Sequence, residues 1–519
     1  MVKSKLEHVS HRTAQIIFFG TLILFIVAVS LVALNFFTQG VVTDFLVKYD
    51  KTTIVEEIIV DEITIGTAAP VTSLSPLNFE FQNRLVLNNS YEGLVALDPS
   101  LQVKQALAVT FGQLDDLTWE FRIREGVKFH NGSDMSPNEV VKSFKEAMQS
   151  DTSQLKSVLS NIAEIKAMGG KVQIKTHKPD PTFLNKLATV YIYKDFDNGE
   201  LYGTGPYKLD SKGEGLEDKN KISLERFEDY WGNLPHFEEA KYIYIKDRDR
   251  RLRMFEEQEI DLLRNVPYPL VPEINTDEAI IITQPSLEVT FLGFGFKNLR
   301  MFEDPTVAYM VRDAIDREAL AASFGGAVRV SPQFVSNGVV GYLPGLEEPE
   351  VIIPEDASPY SAPRPLILDF SIGLSEVAKH IESDLEAAGI EVELNPLAGS
   401  DLIKRLSSGE SDLYLLGWKS EFGDAIDLYK VIAHSKENGM GEFNAGNYSI
   451  QRVDDLIAQS DNTFAPLDRV RLLQEIMRTL INEQPFGVPL FETQIIYAAT
   501  QDLTFTPRID GYVNVAEVR

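Results

Sequence analysis

The sequence predicts an α/β protein carried behind one N-terminal transmembrane helix. Three observations lead there. Residues 16–37, "IIFFGTLILFIVAVSLVALNFF", contain no charge. Residues 366–416 alternate strand and helix patterns, which implies a parallel sheet with crossover helices. The chain as a whole is 44% hydrophobic and 24% charged, as expected of a globular protein with real cores.

At 1.5 Å per residue, a helix over 16–37 would be about 33 Å long, enough for a bilayer core of about 30 Å. Lys3, Lys5 and Arg12 precede it, and Asp44 is the first charge after it. The positive-inside rule therefore keeps 1–15 as a cytoplasmic tail and exports the rest. A cleaved signal peptide is the rival reading, but its apolar core is normally about 7–15 residues closed by small residues. Here the core is longer, and "AVS" at 28–30 is only a weak cleavage site. An uncleaved anchor is expected, followed by a stalk over 38–61. The body would then lie outside the cytoplasm, held at the cell membrane.

That body begins with the strand "EITIG" at 62–66. In "LTWEFRIR", Leu117, Trp119, Phe121 and Ile123 alternate with polar neighbours, which is a half-buried strand. Asn131-Gly132 supplies a tight turn. Ser136-Pro137-Asn138-Glu139 matches a capping box with proline at the first helical position. Val140, Val141, Phe144 and Met148 give the following helix an apolar stripe. "KGEGLEDKN" at 212–220 reads as a charged hairpin loop, and "EEPEVIIPEDASPYSAPRP" at 347–365 as a connector.

Within 366–416, "LILDFSI", "IEVELNPL" and "DLYLLGW" are strands and "SEVAKHIESDLEAAG" and "DLIKRLSSG" are helices. Val377, Ile381 and Leu385 stripe the first helix, which Gly389 stops. A further helix is clear in "APLDRVRLLQEIMRTLINEQ".

The net charge of −28 repels phosphate backbones, and no basic patch offsets it, so nucleic-acid binding is excluded. There is no cysteine, hence no disulfide, thiol nucleophile or lipid-modified N-terminal cysteine. No hydrolase, nucleotide-binding or metalloprotease motif occurs. The seven histidines are scattered, none pairing with another at metal-ligand spacing, and His130 reads as structural. One stretch invites a site: "LYLLGWKSEFGD" at 413–424. An apolar strand ends in Gly417-Trp418 and presents Glu421 and Asp424, at the strand edge where open α/β sheets bind ligands. Those acids could be a catalytic pair, a cradle for a cation beside Trp418, or solvated loop charges.

Several segments together resemble the large solute-binding proteins of ABC importers, the oligopeptide, dipeptide and nickel class called family 5. They are "LTWEFRIREGVKFHNGSDMSPNEVVKSF" at 117–144, "LYGTGPYKL" at 201–209, and "RFEDYWG" at 226–232 with the later "RLRMFEEQEIDLL", where Gln258 replaces a glycine. "FLGFGFKNLRMFEDPTVAYMVRDAIDREAL" at 291–320 and "RVRLLQEIMRTLINEQPFGVPLF" at 469–491 complete the ordered set.

The resemblance implies a two-lobed periplasmic-binding-protein-like fold that closes on ligand like a hinged trap. Lobe I would hold 62–288 and 492–519, with an extra subdomain at about 88–198, and lobe II 289–491. It further implies a monomer without cofactor, metal or reaction, which captures peptides or similar small solutes for ABC permease transmembrane subunits. In peptide-binding members the Gly-Trp is followed by an aspartate that pairs with the peptide α-amino group. Glu421 falls there, one methylene longer. Asp424 matches a second family aspartate, followed here by Ala425 instead of proline. Trp418 and Ser420 flank the site, and Thr72 and Ser73 would line the opposing cleft edge. A module for sensing or chaperoning without an importer, or a hydrolase using Glu421 and Asp424, are the competing readings.

Overall fold

Two long strands organise the chain, Ala279–Phe294 and Gly487–Thr500. A strand of ordinary length is about 5–6 residues and serves one sheet; these are long enough to serve two halves. They are antiparallel, from Ala279 opposite Thr500 to Gly293 opposite Gly487. The structure is a computed structural model that describes residues 62–195, 200–209, 221–296, 305–349, 364–437 and 439–519.

At the Ala279 end the pair is flanked by Leu262–Arg264, then Glu62–Thr67, Glu239–Tyr244, Lys221–Arg226 and Tyr207–Leu209. At the Phe294 end the neighbours are Leu413–Lys419, then Leu366–Ser371 and Val392–Leu397, while Val328–Val330 pairs with Gly487–Thr500. The partners change where the register shifts, between Pro285 and Val289. Proline brings no N–H to a ladder, and Leu287 adopts φ 65° there. Two lobes thus share one pair of strands, which is the expected two-lobed α/β architecture.

The parallel unit of the second lobe forms as its pattern predicts. Leu366–Ser371 pairs in parallel with both Val392–Leu397 and Leu413–Lys419. The crossover helices are Ser375–Ala387 and Gly399–Ser408. Val377, Ile381 and Leu385 are buried, and Gly389 follows the first helix with φ 81°. Leu413–Lys419 then pairs antiparallel with the long strand, so the sheet as a whole is mixed.

The signature region builds a separate antiparallel sheet from Ala108–Asp115, Thr118–Ile123, Lys171–Thr176 and Ile162–Met168. Helix Pro137–Gln149 covers it, and its capping box is made: Asn138 N–H donates to Ser136 Oγ, and Ser136 N–H donates to Glu139. Trp119, Phe121, Ile123, Val140 and Phe144 share one core. His130 is structural. It donates from Nε2 to the Gly205 carbonyl at 3.0 Å and stands edge-on to Phe227. Burial pushes its pKa down to about 4, so it is neutral near pH 7.

The lobes touch. Leu101, in the turn between strands Val95–Leu97 and Val103–Gln105, is buried in a second-lobe core beside Ala425 and Phe334. A Cβ on Gly423 would stand 2.7 Å from its Cδ1. Asn185 Nδ2 donates to the Phe422 carbonyl at 2.9 Å, and Phe79 faces Phe422 at 6.4 Å.

The expected anchor at 16–37, the stalk, the loop at 212–220 and most of the connector at 347–365 lie outside the described residues. Among the described residues no helix is long and apolar enough to cross a membrane.

Gly293 in the first long strand pairs with Tyr414, and a Cβ there would stand 2.1 Å from Cζ of the buried Tyr414 ring. Gly293→Ala should cost about 1–3 kcal/mol by overpacking. The measurement is urea unfolding: the midpoint falls at constant m value, whereas an unchanged midpoint contradicts the packing argument.

Candidate functional site

A cavity of about 730 Å³ lies between the lobes, within the range of about 300–1,000 Å³ typical of small-molecule sites. Helix Phe81–Leu87 supplies Phe81 and Arg84, the turn that follows it supplies Asn88 to Gly93, and the C-terminal segment supplies Arg508 to Glu517. Lys419, Ser420 and Glu421 enter from the second lobe, at the carboxyl end of Leu413–Lys419.

Glu92 organises one wall. Its Oε2 accepts from Thr204 Oγ1 and Trp231 Nε1, both at 2.8 Å, and its Oε1 accepts from the Tyr230 hydroxyl at 3.0 Å. Arg124 lies over the Trp231 ring at 4.0 Å. Burial is the leading influence on this carboxyl and lifts its pKa to about 7, against the opposing pull of the three donors and Arg124. The glycines of "GTGP" make the close approach possible: a Cβ on Gly205 would stand 2.7 Å from the Asn89 carbonyl oxygen. Glu92 was not singled out from the sequence. Its signal was there, since two separate motifs, "GTGP" and "YWG", each bring it a donor.

The opposite wall is charged and aromatic. Arg84 lies over Tyr191 at 4.3 Å and Phe79 at 5.4 Å, donating to the Thr189 carbonyl. Lys419 Nζ stands 4.5 Å from the Phe81 ring centre, and Arg264 lies on the same ring at 4.6 Å. Tyr512 stacks on Phe81 at 4.7 Å. Burial pushes the Lys419 pKa down, helped by the Arg264 charge, while Glu421 and Asp510 oppose. Burial pushes Glu421 up, opposed by Lys419 and then Arg84. Arg508 is bound to Asp510 and Glu517 and donates to the Leu97 and Asp98 carbonyls, tying down the hairpin that carries Leu101.

Of the six residues singled out from sequence, Glu421 and Ser420 line this cavity. Trp418 does not: it packs on the second-lobe core, because successive strand residues face opposite ways and Lys419 takes the cavity side. Asp424 is buried and clamped by Arg469 through two bonds, 2.6 and 3.0 Å, while capping Ile426 N–H. Its oxygens are committed to the fold. Thr72 and Ser73 lie outside the cavity lining, where their N–H groups both donate to Asn83 Oδ1. Lys419, Arg84 and the aromatic rings were missed. For Lys419 the strand alternation itself was the usable signal.

A two-lobed fold with a sizeable interlobe cavity suits the capture of a small solute. Residues 102–360 match the family described as bacterial extracellular solute-binding proteins, family 5. The nickel-binding protein NikA of Staphylococcus aureus is 26% identical over 459 residues, covering 84% of this chain and 89% of that one. The glutathione-binding protein GsiB of Escherichia coli O1:K1 is 24% identical, covering 85% and 91%. Among solved structures, HbpA2 from Haemophilus parasuis superimposes with a TM-score of 0.77 at 17% identity, covering 88% and 99%. The chain belongs to family 5 of the bacterial extracellular solute-binding proteins. It is a substrate-binding protein of the ABC-importer class and not an enzyme, so the hydrolase reading falls.

Glu92 carries a pH signature. Folded, it holds its proton up to about pH 7; unfolded, it releases it near its ordinary pKa of 4.5. The folded state binds more protons between those values, so its contribution to stability declines as pH rises through that window and is level above it. In thermal scans between pH 4.5 and 7, Glu92→Gln should remove that share of the slope; an unchanged slope contradicts the assignment.

Proposed function

We propose that the protein is a membrane-anchored extracytoplasmic receptor. It captures peptides or similar small solutes between its lobes and delivers them to the transmembrane subunits of an ABC importer, working as a monomer. The observation that carries this reading is Glu421, a solvent-accessible carboxylate just past the end of Leu413–Lys419 that lines the interlobe cavity. A carboxylate there can hold a ligand ammonium through a charge-assisted bond. Peptides differ in side chain but share that group, so one carboxylate serves many ligands while watery pockets tolerate the rest. Closure then follows from the higher ligand affinity of the closed form.

Thermal shift and calorimetry with a pool of short peptides test the amine role. Glu421→Gln should weaken free-amine peptides about ten- to a hundredfold, the scale of a charged hydrogen bond, and leave N-acetylated ones unchanged. Equal loss for both sets would remove the amine role. The anchor has its own test, fractionation of bacteria expressing the whole chain. Full-length protein should stay with the membranes; a soluble product lacking the apolar segment would show cleavage instead.

A further inference from the structure

At one corner of the cavity the cations have no carboxylate in direct contact. The chain carries a net charge of −28, yet Arg84 lies on Phe79 and Tyr191 while Lys419 and Arg264 share the Phe81 ring. Among the described residues, none of these three cations forms an ion pair within 4.0 Å. Arg508 differs, being matched by Asp510 and Glu517. A ring face returns up to about 2 kcal/mol to a desolvated cation, while the effective penalty for burying an ion is several kcal/mol. Arg84 and Arg264 add only neutral partners, the Thr189 and Gly511 carbonyls, so these cations lack a contacting carboxylate although an acidic protein had many available.

The same corner includes Glu421. Lys419 and Arg84 are the two charges that act on its carboxyl, and Lys419 is next but one to it in the chain. Tyr512, stacked on Phe81, feels both Arg84 and Glu421. Lys419, Arg84 and Glu421 all line the cavity. One acceptor for a cation and two donors for an anion thus face the same corner. Lys419 keeps all its N–H donors, and Arg84 spends one amino group on Thr189.

We propose that this corner takes an unblocked amino-acid head, an ammonium and a carboxylate on one carbon, with Glu421 receiving the ammonium and Lys419 and Arg84 the carboxylate. The inference rests on the reading of Glu421 as the amine acceptor and adds the anion beside it. An ordinary α-linked peptide fits less well. Its N-terminal ammonium adjoins a neutral amide carbonyl, which leaves both cations unmatched. A free amino acid, a ligand built from amino acids with free heads, or a γ-linked glutamyl peptide presents both charges together.

Two isomers isolate the point. γ-Glutamylalanine and α-glutamylalanine have the same composition and the same net charge, but only the γ isomer keeps ammonium and carboxylate on one carbon. In calorimetry, the full chain should bind the γ isomer about ten- to a hundredfold more tightly, the scale of one or two charge-assisted bonds. Lys419→Met should collapse that preference, and Lys419→Arg, which keeps the cation, should retain it. Equal or tighter binding of the α isomer overturns this inference while the receptor reading stands. Binding of neither isomer overturns this inference, and the receptor reading falls with it only if the pool of free-amine peptides also fails to bind. A preference that survives Lys419→Met also overturns it, since the head would then be held elsewhere. If Lys419→Met does not fold, the comparison of isomers on the unaltered protein decides alone.

Discussion

Everything in this fold hangs on two strands that belong to both lobes. Gly487–Thr500 lies inside the sheet of each half, and Ala279–Phe294 pairs with it along both, at the edge of the first half and inside the second. A pair of strands resists stretching but bends where its ladder is broken. The break is local: Pro285 removes a donor, Leu287 sits at positive φ, and the register resumes at Val289. The lobes are thereby joined by a connection stiff along the strands and weak at one level. The cavity lies at the junction of the lobes because that is where two sheets sharing one spine must part.

A second constraint fixes the cavity wall. Thr204, Tyr230 and Trp231 arrive from distant parts of the sequence and all donate to Glu92. The backbone can come close enough only because Gly203 and Gly205 carry no side chain against Asn89 and Ser90. These glycines are spacers for a carboxylate hub. The polar partners that satisfy Glu92 also set the position of two aromatic rings on the ligand's side.

Much of this was legible in the sequence. The parallel unit of the second lobe, the Ser136 capping box and the Val377–Ile381–Leu385 stripe follow from local periodicity and capping chemistry, which the tertiary structure leaves intact. The two-lobed plan came from ordered motifs, since periodicity does not reveal that a strand near 285 and another near 493 are neighbours. The site was legible only in part. Glu421 and Ser420 line the cavity as their place at a strand end suggests. Asp424 looked equivalent by spacing, but its partner Arg469 is 45 residues away and no local pattern announces the pairing. Trp418 drew attention because an aromatic beside an acid suggests recognition, yet on a strand the neighbour of a cavity residue faces the core. Arg84, Phe81 and Tyr512 come from both ends of the chain, and only the fold brings them to one cavity wall.

The distribution of charge between the lobes bears on how the trap stays open when empty. Arg84 and Arg264 belong to the half that begins at Glu62, and Lys419 with Glu421 to the other. Bringing the halves together gains apolar burial for Leu101 against the second-lobe core, a contribution that needs no ligand. It also brings Lys419 and Arg264 onto the same Phe81 ring, where burial first and then the Arg264 charge push the Lys419 pKa down. The first term favours closure of the empty protein and the second opposes it. Were Leu101 unopposed, the closed form would dominate without cargo and the affinity gained on closing would be lost, because a ligand shifts an equilibrium only by its differential affinity for the two states. An anion placed among the cations cancels the repulsion only in the closed form. With the proposed anion in place, the cations at this corner would make closure conditional on a ligand.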